Sequence, residues 1–423
     1  MTSMIEATHC KQEGEVLYTP NEIVDLMLER IASQGPEVAV EQLELKNLSG
    51  RILAEDIISP VDIPQFNHSA MDGYAIASAV EQVTYRVIDK TLAGESPTVK
   101  LLPGQAVVIM TGAPLPEGAD TVVVQELATF NAAESTVTCS SGFRRGQNIR
   151  WQGEEIVTGK QVLHKGVVLN APAIGQLATL GLTSVLVFKP IKISVLSTGF
   201  ELKEPGDILT QGQIYDSNRY ALMSLLQAVP CDIVDFGIVP DDAEHLRDAL
   251  ASAAKHADIV ISSAGISTGE ADYVKSAMNK LGELSFYRMK IRPGRPLSMG
   301  FLQPTNDSSA LFIGFPGNPA AVQVTFKVCV EPLLRAIAGY QPQQVKTEKI
   351  EAKLLSPLSC KKGRVDYFRG RYRQDRACIV VDKTGFQGAA QLSSLIEANC
   401  LIEVGEDVSS LDRGEWVDLI PLS

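Results

Sequence analysis

Between residues 191 and 339 the chain alternates short apolar runs with longer segments whose apolar residues recur at helical spacing. Residues 191–196, 233–236, 258–261 and 309–313 read as strands; 218–228, 242–255, 271–281 and 319–338 read as helices. This alternation predicts a parallel α/β sheet with helices on both faces.

The flanks have a different texture. Thr19-Pro20-Asn21-Glu22 carries a cap, a first-turn proline and the acid of a capping box, and Ile23, Met27 and Ile31 follow on one helical face. From about 59 to 159, short β-rich runs (83–88, 106–109 and 121–124) are separated by Gly and Pro. Helical spacing returns over 166–182, so the β-rich stretch reads as an insertion. Residues 342–423 hold alternating strands such as 378–381 and 416–419, which fit a terminal barrel. The expected organisation is a helical stalk (1–58 and 160–186), a β-rich inserted domain (59–159), an α/β domain (187–341) and a C-terminal β-barrel (342–423).

A chain of 423 residues is long enough for such a division, at about 150 residues per domain. With 50 acidic against 38 basic residues the net charge is -12, which opposes attraction to nucleic acid or anionic lipid. No apolar run reaches the ~18 residues that span a bilayer, and the first segment carries charge where a signal peptide is apolar. A cytoplasmic location is expected. The seven cysteines are scattered without a CxxC, and the five histidines do not cluster, so neither a zinc site nor a disulfide framework is indicated.

In a parallel sheet the residues after each strand line the ligand edge. Here they are Ser197-Thr198-Gly199 with Glu201, then Asp241-Asp242, then Ser262-Ser263-Ala264-Gly265 with Glu270 and Asp272, then Pro316-Gly317-Asn318-Pro319. Singly, each suits a helix cap or a turn. Together they suit a phosphate: small residues allow close backbone approach, and carboxylates beside a phosphate require a hard cation such as Mg²⁺ between them. Arg288, Lys290, Arg292 and Arg295 form a basic cluster in which the first three alternate as on one strand face. A solvated edge strand and an anion site explain that cluster equally well.

Several motifs are specific. SAMDGYA (69–75), MTGAPLPEGAD (110–120), GQNIR (146–150), STGFEL (197–202), IYDSNR (214–219), GEADY (269–273), RPGRP (292–296) and PGNP (316–319) resemble the molybdopterin molybdenumtransferase family, which includes the E domain of gephyrin. The similarity runs in order through nearly the whole chain. It implies an elongated homodimer, an α/β domain like that of molybdopterin adenylyltransferase, and a cleft shared between that domain of one subunit and the β-rich domain of the other. The implied reaction inserts molybdate into adenylylated molybdopterin and releases AMP with Mg²⁺ assistance. A molybdopterin adenylyltransferase is a possible partner.

By motif match, the resemblance gives catalytic roles to Asp72, Thr111, Glu155, Glu201, Asp241 and Asp272. Of these, Asp241 and Asp272 with Glu201 are the candidate Mg²⁺ ligands. Substrate contacts fall on Ser197, Thr198, Gly199, Ser263, Gly265, Arg288, Arg292, Arg295, Pro316, Gly317, Asn318, Pro319 and Arg369. The chain departs from the family pattern at Phe200, at Ala264 and at Ala389, and it has Glu155 where aspartate is usual and arginines where lysines are common. Arginine keeps the charge and adds bidentate geometry. Two other readings fit the same motifs: the adenylyltransferase step itself, and a non-catalytic scaffold that presents cofactor.

Overall fold

The computed structural model describes residues 17–35, 38–78, 83–140, 143–263, 280–305, 308–376 and 378–422. The expected helix at 271–281, with Asp272 and Gly265, lies almost entirely outside the described residues.

A seven-stranded sheet is the centre of the α/β unit. Its order is Leu17–Tyr18, Gly282–Met289, Pro296–Thr305, Ser308–Phe315, Ile259–Ser263, Ile191–Thr198 and Cys231–Val239. The last four strands run parallel, whereas Pro296–Thr305 is antiparallel to both its neighbours. The sheet is therefore mixed rather than wholly parallel. Pro296–Thr305 lies next in the chain to both of those neighbours, and short connections between sequence neighbours favour antiparallel pairing.

The apolar runs read as strands are continuous because both faces of the sheet are covered. Ile193, Val195, Ile259, Ile261, Leu311 and Ile313 face one core, shared with Leu222, Val322, Phe326 and Leu333 of the helices. Leu196, Val260 and Phe312 face the other, against Leu246, Leu250 and Ala253 of helix Ala243–His256. Successive side chains thus alternate between two buried layers, as a pleat of period two requires.

Thr19 caps helix Pro20–Gln34 through the expected capping box. Its Ile23 and Met27 are buried in the α/β core, and Leu17–Tyr18 pairs with Gly282–Met289. This helix therefore packs with the α/β sheet and not with a stalk. The remaining stalk segments are also less helical than expected. Among the described residues they hold one α-helix, Ala171–Thr179, with the pairs Val40–Glu44/Ser184–Phe188 and Ile57–Ile58/Gln161–Leu163. Leu48, Leu53, Leu169, Leu177 and Val187 form their core.

The inserted unit is a six-stranded sheet, Thr121–Val124, Gly73–Ile76, Gln105–Ile109, Thr84–Thr91, Thr136–Cys139 and Ala128–Asn131. At the C-terminus, Val365–Asp375, Cys378–Lys383, Ile350–Leu354, Trp416–Pro421 and Cys400–Val404 pair in a ring that closes back on Val365–Asp375. This five-stranded barrel is the expected terminal domain. Its Leu401, Ile420 and Tyr367 belong to the same core as the α/β helices, so the two units are packed together.

Candidate active site

Four strands bring their carboxyl ends to one edge of the α/β sheet. Ser197 is in register with Ser263 on one side and Ile238 on the other, and Ser263 with Phe315. Ser197 and Ser263 are buried and their hydroxyls have no hydrogen-bond partner among the described residues. Buried hydroxyls without partners are uncommon in native structures.

The expected pair Asp241-Asp242 divides by role. Asp242 caps helix Ala243–His256, accepting the N–H groups of Glu244 and His245 at 3.1 and 3.0 Å, and it also meets His245 Nδ1. The backbone donation from His245 holds its carboxyl below the ordinary range. Asp241 is turned the other way and accepts the Thr198 hydroxyl at 3.1 Å. Its second oxygen has no hydrogen-bond partner among the described residues. Thr198, read as a substrate contact, spends its hydroxyl on this carboxylate.

Glu201 follows a glycine that gives it room. Gly199 has φ +154, and a Cβ there would lie 2.7 Å from Glu201 Oε2. The carboxylate is therefore folded back over the backbone at the end of Ile191–Thr198. Glu201 and Asp241 are oxygen donors of the kind Mg²⁺ takes. Among the described residues no three His, Cys, Asp or Glu side chains converge, and the third ligand expected, Asp272, lies outside them.

The segment after Phe315 is fixed from two sides. Asn218 Nδ2 donates to the Gly317 carbonyl at 2.8 Å. Ala320 N–H donates to Ala389 O of the barrel at 2.9 Å. Thus Pro316, Gly317, Asn318 and Pro319 sit where the α/β unit meets the C-terminal barrel.

The basic cluster is split, contrary to the single strand face its alternation suggested. Gly282–Met289 ends within the α/β sheet, and Ile291–Arg292 pairs instead with Val365 and Asp366 of the barrel. Lys290 at the break pairs with Glu406 at 3.4 Å. Gly294 then turns at φ +102 with its Cα against Thr325, so close that any side chain would strike the Thr325 hydroxyl. The turn carrying Arg292 and Arg295 is thereby pressed onto the helix that follows Pro319. Arg288 stays behind on the sheet strand.

Arg369 is 1% exposed. Its guanidinium donates to Ser394 Oγ at 3.1 Å, to Gly388 O at 3.0 Å and to Phe386 O at 3.3 Å, so it clamps the loop that contains Ala389. No carboxylate pairs with it among the described residues. Burial, with the charge of Arg292 nearby, pushes its pKa down to about 10. Two cations near one another without a paired acid favour an anion between or beside them.

Asp72, Thr111 and Glu155 lie on other units of the chain. Asp72 Oδ1 accepts both the backbone N–H and the hydroxyl of Thr111, at 2.7 and 2.8 Å, which lowers its pKa from 3.8. Glu155 is exposed in a turn organised by Asp62, which accepts from Gln152 Nε2, Thr158 N–H and Thr158 Oγ1. Sequence reasoning passed over Asp62 and Asn218. A polar residue flanking a motif gives no sign, before the fold is known, of which distant backbone it will hold.

Three family models match the chain in succession: the MoeA N-terminal region (domain I and II) over residues 19–181, a probable molybdopterin binding domain over 194–336, and the MoeA C-terminal region (domain IV) over 351–422. The molybdopterin molybdenumtransferase of Haemophilus influenzae is 38% identical over 386 residues, covering 90% of this chain and 94% of that protein. The chain belongs to the molybdopterin molybdenumtransferase family. Gephyrin of Dictyostelium discoideum is 33% identical over 95% of this chain and 61% of its own length. A crystal structure of the molybdopterin biosynthesis MoeA protein from Pyrococcus horikoshii OT3 superposes with a TM-score of 0.81 at 27% identity, covering 96% of this chain and all of that one. In the family's terms, the strand edge with Asp241 lies in the probable molybdopterin binding domain, Arg369 in domain IV, and Asp72 with Thr111 in the N-terminal region.

Proposed function

We infer that the chain is a molybdopterin molybdenumtransferase, an enzyme of molybdenum cofactor biosynthesis that takes adenylylated molybdopterin and molybdate and releases AMP. The observation that carries this reading is the strand edge itself. Ser197 and Ser263, unpartnered among the described residues, stand at this edge with Asp241 and the Pro316–Pro319 turn, and the arginine turn through Gly294 packs on the helix that opens at Pro319, which supports the reading. The mixture of small residues, carboxylates and guanidinium groups matches a substrate with a phosphoanhydride and an oxyanion co-substrate.

In the proposed reaction water opens the anhydride, and AMP leaves with the oxygen that bridged the two phosphorus atoms or with that of water. The two dithiolene sulfurs displace one oxygen of molybdate, which departs as water with the thiol protons. Asp241 and Glu201, with Asp272, would hold Mg²⁺, which when bound supplies charge neutralisation at the anhydride. Ser197 and Ser263 offer hydroxyls to phosphate oxygens. In this reading Arg292 and Arg369 supply positive charge that attracts a tetrahedral dianion, and Arg288 and Arg295 add to that field. The protein's contribution is positioning, since no nucleophile beside a basic histidine is present at this edge among the described residues.

We further propose that the enzyme acts as a homodimer in which Asp72, Thr111 and Glu155 of one copy complete the edge of the other. Their placement on units separate from Asp241 supports this. Asp72→Asn and Asp241→Asn proteins, each inactive alone, should regain up to about a quarter of wild-type activity when mixed and allowed to exchange subunits. No recovery after verified exchange would reject a shared site.

The function is tested by incubating purified protein with adenylylated molybdopterin, Mg²⁺ and molybdate. AMP release that depends on molybdate is expected. AMP formation from ATP and molybdopterin instead, or pterin binding without turnover, would overturn the reading in favour of an adenylyltransferase or a scaffold.

A further inference from the structure

Helix Asn218–Leu225 begins beside the strand edge, and its first residue makes the cross-link to Gly317. Asn218 is 8% exposed. Because its Nδ2 is the atom that reaches the Gly317 carbonyl, the amide is fixed in one orientation and Oδ1 points elsewhere. That Oδ1 is buried and has no partner among the described residues. A buried acceptor left unpaired lowers stability. Immediately after it, Arg219 is held by Asp216 Oδ2 at 3.0 Å, by Asp235, and by both oxygens of Glu204 at 2.5 and 2.6 Å. The helix start is therefore anchored behind Asn218, which turns a flexible amide into a fixed strut.

We propose that Asn218 is a positioning residue for the reaction, holding the Gly317 carbonyl so that the Pro316–Pro319 turn keeps its place beside Ser197 and Ser263. The inference rests on the strand edge being the reactive site, as argued above. Asn218 acts through the turn and not on the reacting atoms. Among the described residues Asn218 supplies the hydrogen bond to the Gly317 carbonyl, and the next residues open the helix that packs against the arginine turn at Gly294. Loss of the strut moves two parts of the site together.

The test uses the full-length protein in three forms: wild type, Asn218→Leu and Asn218→Asp. Leucine keeps the volume and removes both amide atoms, including the unpaired acceptor; aspartate keeps the shape and replaces the donor with a second acceptor facing Gly317 O. Two measurements are made: steady-state AMP release, and amide hydrogen exchange at Ala320 and Val322. The expected result for Asn218→Leu is an unchanged melting temperature, kcat lowered by about tenfold, and exchange at those two amides faster by about tenfold, the effect of one lost hydrogen bond. Asn218→Asp should lose at least as much activity.

Wild-type kcat with wild-type exchange in a folded Asn218→Leu protein would overturn the inference. So would a failure of both variants to fold, which would make the residue structural. An inactive wild type would reject the functional reading instead, and the exchange measurement would still decide whether Asn218 holds the turn.

Discussion

Thr198 Oγ1 lies 3.1 Å from Asp241 Oδ1, tying the end of one strand to the loop that leaves its neighbour. The bond orients a carboxylate that has no other hydrogen-bond partner among the described residues. Thr198→Val keeps the shape and removes the donor. A hydrogen bond to a charged group is worth about 1.5–3 kcal/mol, so kcat should fall about tenfold to a hundredfold, while Thr198→Ser retains most of it. Kinetics of AMP release on the three proteins check this; equal rates would show that Asp241 holds its place unaided.

Arg219 is 2% exposed and is shared by Asp216, Asp235 and Glu204, with Tyr220 stacked 4.8 Å from its guanidinium. Glu204 lies on the segment that starts at Glu201, so the cluster fastens that segment to helix and sheet. Arg219→Ala leaves carboxylates facing one another without their cation, at an expected cost of about 3 kcal/mol. Urea unfolding should show the transition moved to lower denaturant, and Arg219→Lys should recover little, because one ammonium cannot replace the fork.

Asp62 gives a pH dependence of defined sign. Donation from the Thr158 backbone and from the Gln152 and Thr158 side chains holds its carboxyl below 3.8. The unfolded segment therefore takes up a proton at a higher pH than the folded one, and the turn carrying Glu155 loses this support as pH falls below about 4. Above pH 5 the contribution is fully present. The protection factor of the Thr158 amide should fall as pH drops below the ordinary aspartate range, and Asp62→Ala should show a low protection factor throughout. A flat protection factor in the native protein would contradict the assignment.

Much of the architecture was legible because both faces of the α/β sheet are buried: runs such as Ile193-Ser194-Val195-Leu196 admit few alternatives to a covered strand. Other features were hidden for physical reasons. Helix Pro20–Gln34 has a clear apolar face, yet nothing local says that it meets the α/β core at helices about three hundred residues later. Arg288, Lys290 and Arg292 alternate as a strand would, but the chain changes sheets at Lys290, a break set by pairing with Val365 and Asp366. Within the site, Asp241 and Asp242 are chemically equivalent in sequence. Only the helix that starts at Ala243 decides that Asp242 is the cap and Asp241 the carboxylate that meets Thr198. Asp72, Thr111 and Glu155 were reached through their resemblance to the family's motifs, because no spacing rule connects them to the strand edge.

The central claim is that one strand edge, with Asp241 among its carboxylates, couples opening of the anhydride to loading of the metal. Its most direct measurement is the ratio of molybdenum incorporated into the pterin to AMP released in a single turnover with Mg²⁺ present. The ratio should be about one for the wild type, with both products falling together by about a hundredfold in folded Asp241→Asn, as loss of a charged group that touches the reacting centre implies. AMP release that proceeds without molybdenum loading, or an Asp241→Asn protein that retains both, would contradict the account.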